Sequence, residues 1–278
     1  MTTVNDICSI MEDFAPTNLA MDWDNVGLML GRTNREVEKV LLALDLTQEV
    51  VEQAIAEKVQ MIITHHPAIF KKFSRVTDKD WQQNLILTLA ENKIAVYSAH
   101  TNYDCADEGV NHILASKLGL MDVKTLDDES GLGRMGLVSA CSLIDFAAQV
   151  KNSLAADYVT IADAAKKVQV VGVCGGAGGD LVDLCLAKGI DTLVTGDIKY
   201  HTAQDAVFKG LNVVDAGHQA TERIAIEYLR DDPRGSFIPG LTPSQFWSIL
   251  LVIAGIAWIV ISEVMKKKNK EIVEENKE

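Results

Sequence analysis

The sequence predicts an α/β protein with two related lobes, each built of βαβ units. Short apolar runs alternate with segments whose apolar residues recur at helical spacing, which is typical of parallel strands joined by helices. A helix end, a turn and a strand that closes on threonine occur twice, at 56–64 and at 186–195. The 278 residues are 48% hydrophobic and 23% charged. A chain of this size and composition can bury the core that such a fold requires.

The first lobe is predicted over residues 1–130. Its opening helix carries apolar residues on one face and ends at Pro16, and Thr47 is a good N-cap for the next helix. The apolar run at 61–64 has the length and composition of a buried parallel strand. The predicted strands of this lobe are 40–44, 61–64 and 94–98, and its later helices are 81–91 and 109–118.

The second lobe is predicted over residues 171–231. It again alternates strands with helices, and a glycine-rich turn at 175–179 follows its first strand. Residues 131–170 are weakly patterned, so we expect them to connect the lobes. The predicted strands are 168–174, 192–195 and 212–215, and the predicted helices include 181–188 and 218–229.

Both lobes follow a strand with the same polar pattern, a histidine and then a carboxylate four residues later. The pair is His100 and Asp104 in the first lobe, and His218 and Glu222 in the second. The carboxyl ends of parallel strands form the edge at which open α/β sheets bind their ligands. We therefore expect two related lobes to bring these pairs together around one site.

Charge and cysteine content exclude several classes of protein. The formal net charge of -13 argues against nucleic acid as a partner, because phosphate backbones are bound by clustered Lys and Arg. The five cysteines are scattered and never spaced as C-x-x-C, so we expect neither a disulfide framework nor a thiolate zinc site. The first residues lack a signal-peptide pattern. These features predict a cytoplasmic protein.

The six histidines are the strongest chemical signal. All except His112 fall at or just beyond a predicted strand end. A buried histidine satisfied by one hydrogen bond would explain any single case. Five such positions with carboxylates nearby favour a metal site, since imidazole and carboxylate are common ligands of transition metals. The five are His65, His66, His100, His201 and His218.

Five residues are predicted to hold two divalent metal ions side by side. His65 and His66 come at a strand end, where a turn allows each ring to serve one ion. His218 and Glu222 share a helical face, while Asp104 comes from the other lobe. Nitrogen and oxygen ligands without a thiolate suit Zn, Mn, Fe or Ni. So few ligands for two ions leave positions for water, which hydrolytic metal chemistry requires.

Four further residues have more than one predicted role. His100 and His201 would bind metal, orient a ligand or contact the substrate. Asp197 and Lys199 would do acid–base or anion-binding work, and a solvated loop is the alternative of equal weight.

Two turns are predicted to be mainly structural. The glycine run at 175–179 matches neither the dinucleotide fingerprint nor the P-loop, although its backbone N–H groups could contact an anionic substrate. The segment at 23–27 is predicted to be an Asx-type turn.

Five motifs occur in order: DWDNVGL at 22–28, THHP at 64–67, HTNYD at 100–104, TGDIKYH at 195–201 and GHQATE at 217–222. Together they resemble the NGG-one-interacting-factor-three-like family, whose members are also named GTP cyclohydrolase I type 2 homologues. The resemblance covers about residues 4–230. It implies a two-lobed α/β fold, a dinuclear metal centre and a toroidal homohexamer. The family's metal ligands fall on His65, His66, Asp104, His218 and Glu222.

The C-terminal region departs from this pattern. Residues 242–265 are predicted to form an apolar helix, followed by a charged tail at 266–278. The stretch 246–265 has the roughly 20 apolar residues that span a bilayer, so we expect a transmembrane helix and membrane association. One alternative is an apolar contact within an oligomer. Another is a terminus joined from a different gene, since the segment is faintly similar to the end of a polytopic enzyme such as prolipoprotein diacylglyceryl transferase.

The predicted function is that of a metal-dependent hydrolase of a small phosphorylated or nucleotide-like substrate. The alternative is a non-catalytic metal-binding, metal-carrier or regulatory protein, and the sequence leaves open whether the chain is an enzyme. A membrane-tethered scaffold is a third hypothesis, which depends on the C-terminal segment alone.

Overall fold

In the part of the chain that the structure describes, two β-sheets, of four and six strands, form the framework. The structure, a computed structural model, describes residues 1–231 of the chain. By its contacts the chain divides into two units, of which the first, Met1–Glu227, contains both sheets. The second unit begins at Tyr228, and of this unit the structure describes only the last residues of a helix.

The first sheet has three parallel strands with one antiparallel strand beside them. The strands are β1 (Gly27–Leu30), β2 (Val40–Ala43), β3 (Met61–Thr64) and β4 (Ala95–Ser98), in the order β1-β4-β3-β2. Every residue of β3 and β4 is buried, as expected of parallel strands covered on both faces. Thr64 pairs with Ala43 on one side and with Ser98 on the other, so the three carboxyl ends align at one edge.

Capping side chains fix where several helices of the first half begin. Thr3, Thr47 and Asp80 each accept a hydrogen bond from a backbone N–H in the first turn that follows, which satisfies a donor the helix itself cannot pair. The helices are α1 (Val4–Phe14), α2 (Gln48–Ala56), α3 (Trp81–Glu91), α4 (Thr101–Cys105) and α5 (Val110–Lys117).

The second sheet repeats this arrangement and adds two strands. Its strands are β5 (Met121–Thr125), β6 (Arg134–Cys141), β7 (Thr160–Ala162), β8 (Val168–Ala177), β9 (Thr192–Gly196) and β10 (Asn212–Asp215), in the order β5-β6-β8-β9-β10-β7. Strands β8, β9 and β10 are parallel, and β7 pairs antiparallel with β10 as β1 does with β4. The helices are α6 (Leu143–Ser153), α7 (Val182–Ala187), α8 (Tyr200–Lys209) and α9 (His218–Asp231).

The two halves share one order of elements: a helix and two strands, then two helix–strand units. This order runs from α1 to β4 in the first half and from α6 to β10 in the second. The second repeat therefore starts inside 131–170, which the sequence predicted to be a connection. That segment supplies β6, α6 and β7, and both of these strands belong to the second sheet. The division into lobes at the predicted boundaries stays a prediction.

The predicted α/β class is confirmed, but the sheets are mixed rather than all parallel. The sequence does not predict the antiparallel strands β1, β5, β6 and β7. Strand β5 is mostly exposed and β7 has only three residues. Such strands lack the continuous apolar run by which a buried parallel strand is recognised.

Each sheet buries its own apolar core beneath its helices. In the first, side chains of α2 and α3 pack against β3 and β4, and in the second, side chains of α7 and α8 pack against β9 and β10. Each large apolar side chain buried in this way contributes about 1.5–3 kcal/mol. Polar residues just beyond the strand ends are outside these two cores. The core residues include Val51, Ile62, Leu89 and Val96 in the first sheet and Cys185, Leu193, Ala206 and Val213 in the second.

The prediction of a transmembrane helix requires correction. Within residues 1–231 no helix has both the length and the apolar character needed to cross a bilayer. The longest helix there, α9, has 14 residues. It therefore spans about 21 Å, against a hydrocarbon core of about 30 Å. The predicted span at 246–265 and the tail at 266–278 lie outside the described residues, and the expected membrane association is withdrawn.

Candidate metal centre

Histidines at the carboxyl ends of the parallel strands meet across the two halves of the chain. Strand β3 runs directly into His65 and His66, and His100 comes two residues after β4. His218 is the first residue of α9, which follows β10. Atom Nε2 of His66 lies 3.2 Å from Nε2 of His218, so rings from the two sheets are in contact. We refer to His65, His66, His100 and His218 as the histidine cluster.

Glu222 contacts three rings of the histidine cluster. It lies one turn after His218 on α9, so the imidazole and the carboxylate share a helical face, as the spacing predicts. Its Oε2 is 3.1 Å from Nε2 of His66 and 3.2 Å from Nε2 of His218. Its Oε1 is 3.6 Å from Nε2 of His65. A single buried carboxylate therefore joins side chains from both halves.

His65 lies between two carboxylates. Its Nε2 is 3.7 Å from Oδ1 of Asp104 and 3.6 Å from Oε1 of Glu222, and both distances exceed that of a hydrogen bond. Among the described residues, Nε2 of His65 and Oδ1 of Asp104 are buried without a hydrogen-bond partner. Leaving such an atom unpaired costs about 1–3 kcal/mol. A cation bound by both atoms would remove this cost, so the residues present fit a metal ion.

Each ring of the histidine cluster is held through its Nδ1 atom. Because the Ala99 carbonyl can only accept, His65 must carry its proton on Nδ1, which leaves the Nε2 lone pair of the neutral ring available. Metal-binding histidines are usually oriented in this way, by a carbonyl or carboxylate on the nitrogen that does not bind the metal. The Nδ1 partners are the Ala99 carbonyl for His65 (2.8 Å), Asp45 for His66 (2.7 Å), Asp24 for His100 (3.0 Å) and Asp197 for His218 (2.8 Å).

Two groups of side chains have the spacing of metal ligands. One consists of His65, His66 and His100, and the other of His66, His218 and Glu222. Within each group the ligand atoms lie within 4.8 Å of one another, and His66 belongs to both. Asp104 adjoins the first group through His65. The structure thus brings the five predicted ligands together with His100. Whether His100 binds metal, orients a ligand or contacts the substrate stays a prediction.

The pKa values of the two partly exposed histidines are raised. Hydrogen bonding to Glu222 raises the pKa of His218 to about 9, against the opposing effect of burial. Burial also lowers the pKa of His66, but its bonds to Asp45 and Glu222 outweigh this effect and raise the pKa to about 10. Without a metal these rings therefore hold protons, and a metal ion must displace them to bind.

The buried carboxylates have pKa values shifted in opposite directions. Burial raises the pKa of Asp104 to about 6, although the charge of His65 partly opposes this shift. Burial would also raise the pKa of Glu222, but the rings of His218, His65 and His66 hold it well below its ordinary value. Glu222 therefore stays ionised, whereas Asp104 takes up a proton as the pH falls through about 6.

The four residues with several predicted roles have different surroundings. His100 belongs to the histidine cluster, with its ring centroid 5.2 Å from that of His65. Asp197 orients His218, and it does so from a left-handed backbone conformation with a φ of 52°. Lys199 and His201 are exposed at the start of α8, and no contact joins them to the histidine cluster within residues 1–231. Their predicted work on substrate stays a prediction.

The glycine-rich end of β8 makes room for Glu222, and the turn predicted at 175–179 therefore begins inside this strand. The backbone N–H groups of Gly175, Gly176 and Gly178 already donate to side chains, so these three are not available to an anionic substrate. A Cβ atom at position 176 would meet the Glu222 carboxylate, and its φ of 63° is one that side chains disfavour. Glycine is therefore required here by both space and conformation.

The sequence did not identify two aspartates that hold the histidine cluster. Asp24 accepts from the backbone N–H of the next residue, Asn25, and not from the residue two along that an Asx turn requires, and it also accepts bonds from His100 and Thr101. Asp45 lies two residues beyond β2 just as His66 lies two residues beyond β3, and this shared position at a parallel strand end was the signal that could have revealed it.

Comparison with known proteins gives a consistent result. A model of the Duf34/NIF3 (NGG1p interacting factor 3) family matches residues 2–236. The GTP cyclohydrolase 1 type 2 homolog of Lactococcus lactis subsp. lactis (strain IL1403) is 37% identical over 239 residues, which cover 84% of this chain and 93% of the relative. The crystal structure of a Bacillus cereus protein related to NIF3 has a TM-score of 0.78 at 26% identity, covering 83% of this chain and 91% of that one. A hypothetical protein of Staphylococcus aureus gives a TM-score of 0.76 at 30% identity, covering 82% and 89%.

The family model covers most of the chain, and both the sequence relative and the solved structures match it over more than four fifths of its length. The resemblance carried by the five sequence motifs is thereby confirmed, and the chain belongs to the Duf34/NIF3 family.

Proposed function

We propose that this protein is a metal-dependent hydrolase that holds two divalent ions side by side and acts on a small phosphorylated or nucleotide-like substrate. The observation that carries the proposal is the pair of ligand groups that share His66. Because Asp45 occupies Nδ1 of His66, its ring has one lone pair left and can serve one ion, but the two overlapping groups together offer enough ligand atoms for two neighbouring ions. The ligands we assign are His65, His66, Asp104, His218 and Glu222.

The ligand set suits Zn, Mn, Fe or Ni, because it contains imidazole and carboxylate but no thiolate. When bound, such ions supply Lewis acidity and lower the pKa of bound water. The protein's own residues prepare the site. Hydrogen bonds at Nδ1 fix each ring, and Glu222 is close enough to His65, His66 and His218 to serve both ions.

The substrate proposal draws on the printed name of a relative. The Lactococcus lactis protein is named a GTP cyclohydrolase 1 type 2 homolog, which makes GTP the first compound to test. Bound metal ions would place positive charge in a protein whose formal net charge is -13, and this local positive charge would attract phosphate groups. The homohexamer and the two-lobe organisation remain expectations of the same proposal.

A metal carrier is the second candidate. The side chains of His66 and His218 are 25% and 34% exposed, so an ion held between them would be open to exchange with another molecule. A carrier must pass its ion to another molecule, whereas a hydrolase must only let substrate and water reach the ion.

Turnover measured against metal content separates the two functions. The full chain is loaded with graded amounts of Zn, Mn, Fe or Ni, and hydrolysis of GTP and of a panel of phosphate esters is followed together with elemental analysis. The proposal predicts turnover that rises with metal content and is lost in Glu222→Gln, while the distant Asp183→Asn control matches the parent. Full metal loading without turnover of any compound would favour the carrier. Parent protein that takes up no metal would contradict both.

A further inference from the structure

Two aromatic side chains lie exposed on neighbouring loops. Trp23 is 62% exposed and Phe70 is 45% exposed. Their ring centroids are 6.1 Å apart in an edge-to-face arrangement, with an interplanar angle of 70°. Large rings in solvent lose the stabilisation that burial would give them. The two rings pack together but remain open to solvent, so a further planar group could stack against them.

Hydrogen bonds hold the two loops in place. Asn25 donates from Nδ2 to the carbonyl of Ile69 at 2.5 Å, which ties the loop of Trp23 to the residue before Phe70. Asp24 accepts from the backbone N–H of Thr101, which ties the same loop to the start of α4. The aromatic pair is therefore presented by a fixed framework, and little conformational entropy remains to be lost on binding.

The aromatic pair adjoins the histidine cluster. The ring of Trp23 is 6.2 Å from that of His100, measured between centroids. The ring of His100 in turn lies 5.2 Å from that of His65 and 5.6 Å from that of His66. A compound with a planar ring and a charged group could therefore contact the aromatic pair and the candidate metal centre at once.

Charge near the aromatic pair indicates the sign of the charged group. Lys71, Lys72 and Arg75 follow Phe70 in an otherwise acidic chain, and all three are exposed. Within residues 1–231 none of these three forms an ion pair with a carboxylate. Exposed cations without partners raise the local concentration of anions.

We propose that Trp23 and Phe70 form the platform on which the heteroaromatic base of a nucleotide stacks while its phosphates face the histidine cluster. This inference rests on the proposed function, because it takes the metal centre to be the place where phosphate binds. Trp23 and Phe70 are positioning residues, and they select for substrates that carry a base.

Binding of GTP and of tripolyphosphate to the full chain tests the platform. Both are titrated calorimetrically into metal-loaded parent, Trp23→Leu, Phe70→Leu and the control Phe208→Leu, which removes an aromatic ring that is 90% exposed near the end of α8. Stacking predicts that Trp23→Leu weakens GTP binding about 5- to 150-fold. Phe70→Leu should weaken it by a smaller factor. Tripolyphosphate binding and metal content should not change, and Phe208→Leu should match the parent for both ligands.

Several outcomes would overturn the platform. One is parent protein, with or without metal, that binds GTP no more tightly than tripolyphosphate. Another is Trp23→Leu that binds GTP as the parent does, or that loses both ligands equally. A changed elution volume in Trp23→Leu with unchanged GTP affinity would assign the pair to a contact between copies of the chain. Failure of the parent to take up metal would overturn the proposed function instead. In that case the difference in affinity between GTP and tripolyphosphate would still show whether the base stacks on Trp23 and Phe70.

Discussion

The two halves of the molecule share a frame of strands and helices but differ in the side chains at their strand ends. After β3 the first half has His65 and His66, whereas at the end of β9 the second has Gly196 and then Asp197. Both halves follow their last parallel strand with a histidine and, four residues later, a carboxylate. The same arrangement of strands and helices thus presents different side chains in the two halves, and the candidate site includes side chains from both.

The carboxylates that orient the histidines also come from different strands. Asp45, beyond β2, holds His66 in the first half, while Asp197, beyond β9, holds His218 in the second. Within β8, the strand that corresponds to β2, lies Gly176, which leaves space for Glu222. The comparison shows that the site depends on the absence of a side chain at Gly176 as well as on the side chains that the other half supplies.

Removing the charge of Glu222 should have the largest effect on metal binding. If Glu222 serves two ions, as we propose, Glu222→Gln removes a ligand from each, so metal content measured by elemental analysis should fall from about two per chain to below one. Asp104→Asn should affect one ion only and leave about one. Equal losses in the two variants would show that Glu222 does not serve both ions.

Core substitutions at equivalent strand positions should destabilise both halves. Ile62→Ala in β3 and Leu193→Ala in β9 each leave a cavity at a fully buried site, so each should lower the free energy of unfolding by about 2–5 kcal/mol. Chemical denaturation measures this, with the exposed Ile144→Ala as a control expected within about 0.5 kcal/mol of the parent. If only one half supports the fold, one of the two variants will unfold as the parent does.

The orienting aspartates should matter less than the ligands. Asp45→Asn and Asp197→Asn keep the volume but weaken the bond to Nδ1, so metal affinity should fall about 10- to 100-fold. The two falls should be similar in size, because each aspartate orients one ring and His66 and His218 are assigned to the same ion. Competition titration with a chelating dye measures both affinities. An unchanged affinity in both variants would mean that the rings need no orientation by these carboxylates.

Alanine substitutions at two glycines with similar backbone angles distinguish a steric clash with Glu222 from backbone strain alone. Gly176 and Gly189 both have a positive φ, but only a side chain at 176 would meet Glu222. Each substitution by alanine should lower the free energy of unfolding by about 1–2 kcal/mol through backbone strain. Only Gly176→Ala should also lose metal, as measured on the folded protein. Retention of both ions in Gly176→Ala would mean that Glu222 moves without cost.

Parallel strands and the helices between them could be predicted from the sequence, because β3 and β9 are continuous apolar runs bounded by turn residues. Strands β5 and β7 could not be predicted, since their residues are exposed or only partly buried, and β7 pairs with β10, far along the chain. The start of the second repeat at α6 was hidden for the same reason.

The candidate site was predictable where the residue type itself is informative. Histidines next to strand ends are uncommon enough to attract notice, and the structure brings His65, His66 and His218 together. A lone aspartate in a turn is ordinary, so Asp24 carried no signal, whereas the only signal at Asp45 was its position just beyond the parallel strand β2. His201 also follows a predicted strand end, as the other histidines do, but it lies at the start of α8 and is exposed to solvent.

Anomalous diffraction from crystals of the zinc-loaded full chain tests the central claim most directly. Data collected on either side of the zinc absorption edge locate each ion independently of any assumption about ligands. The account predicts two peaks per chain at the histidine cluster, one bound by His65 and Asp104, the other by His66 and His218, with Glu222 in contact with both. A single peak, peaks elsewhere, or none would contradict a dinuclear centre built jointly by the two halves.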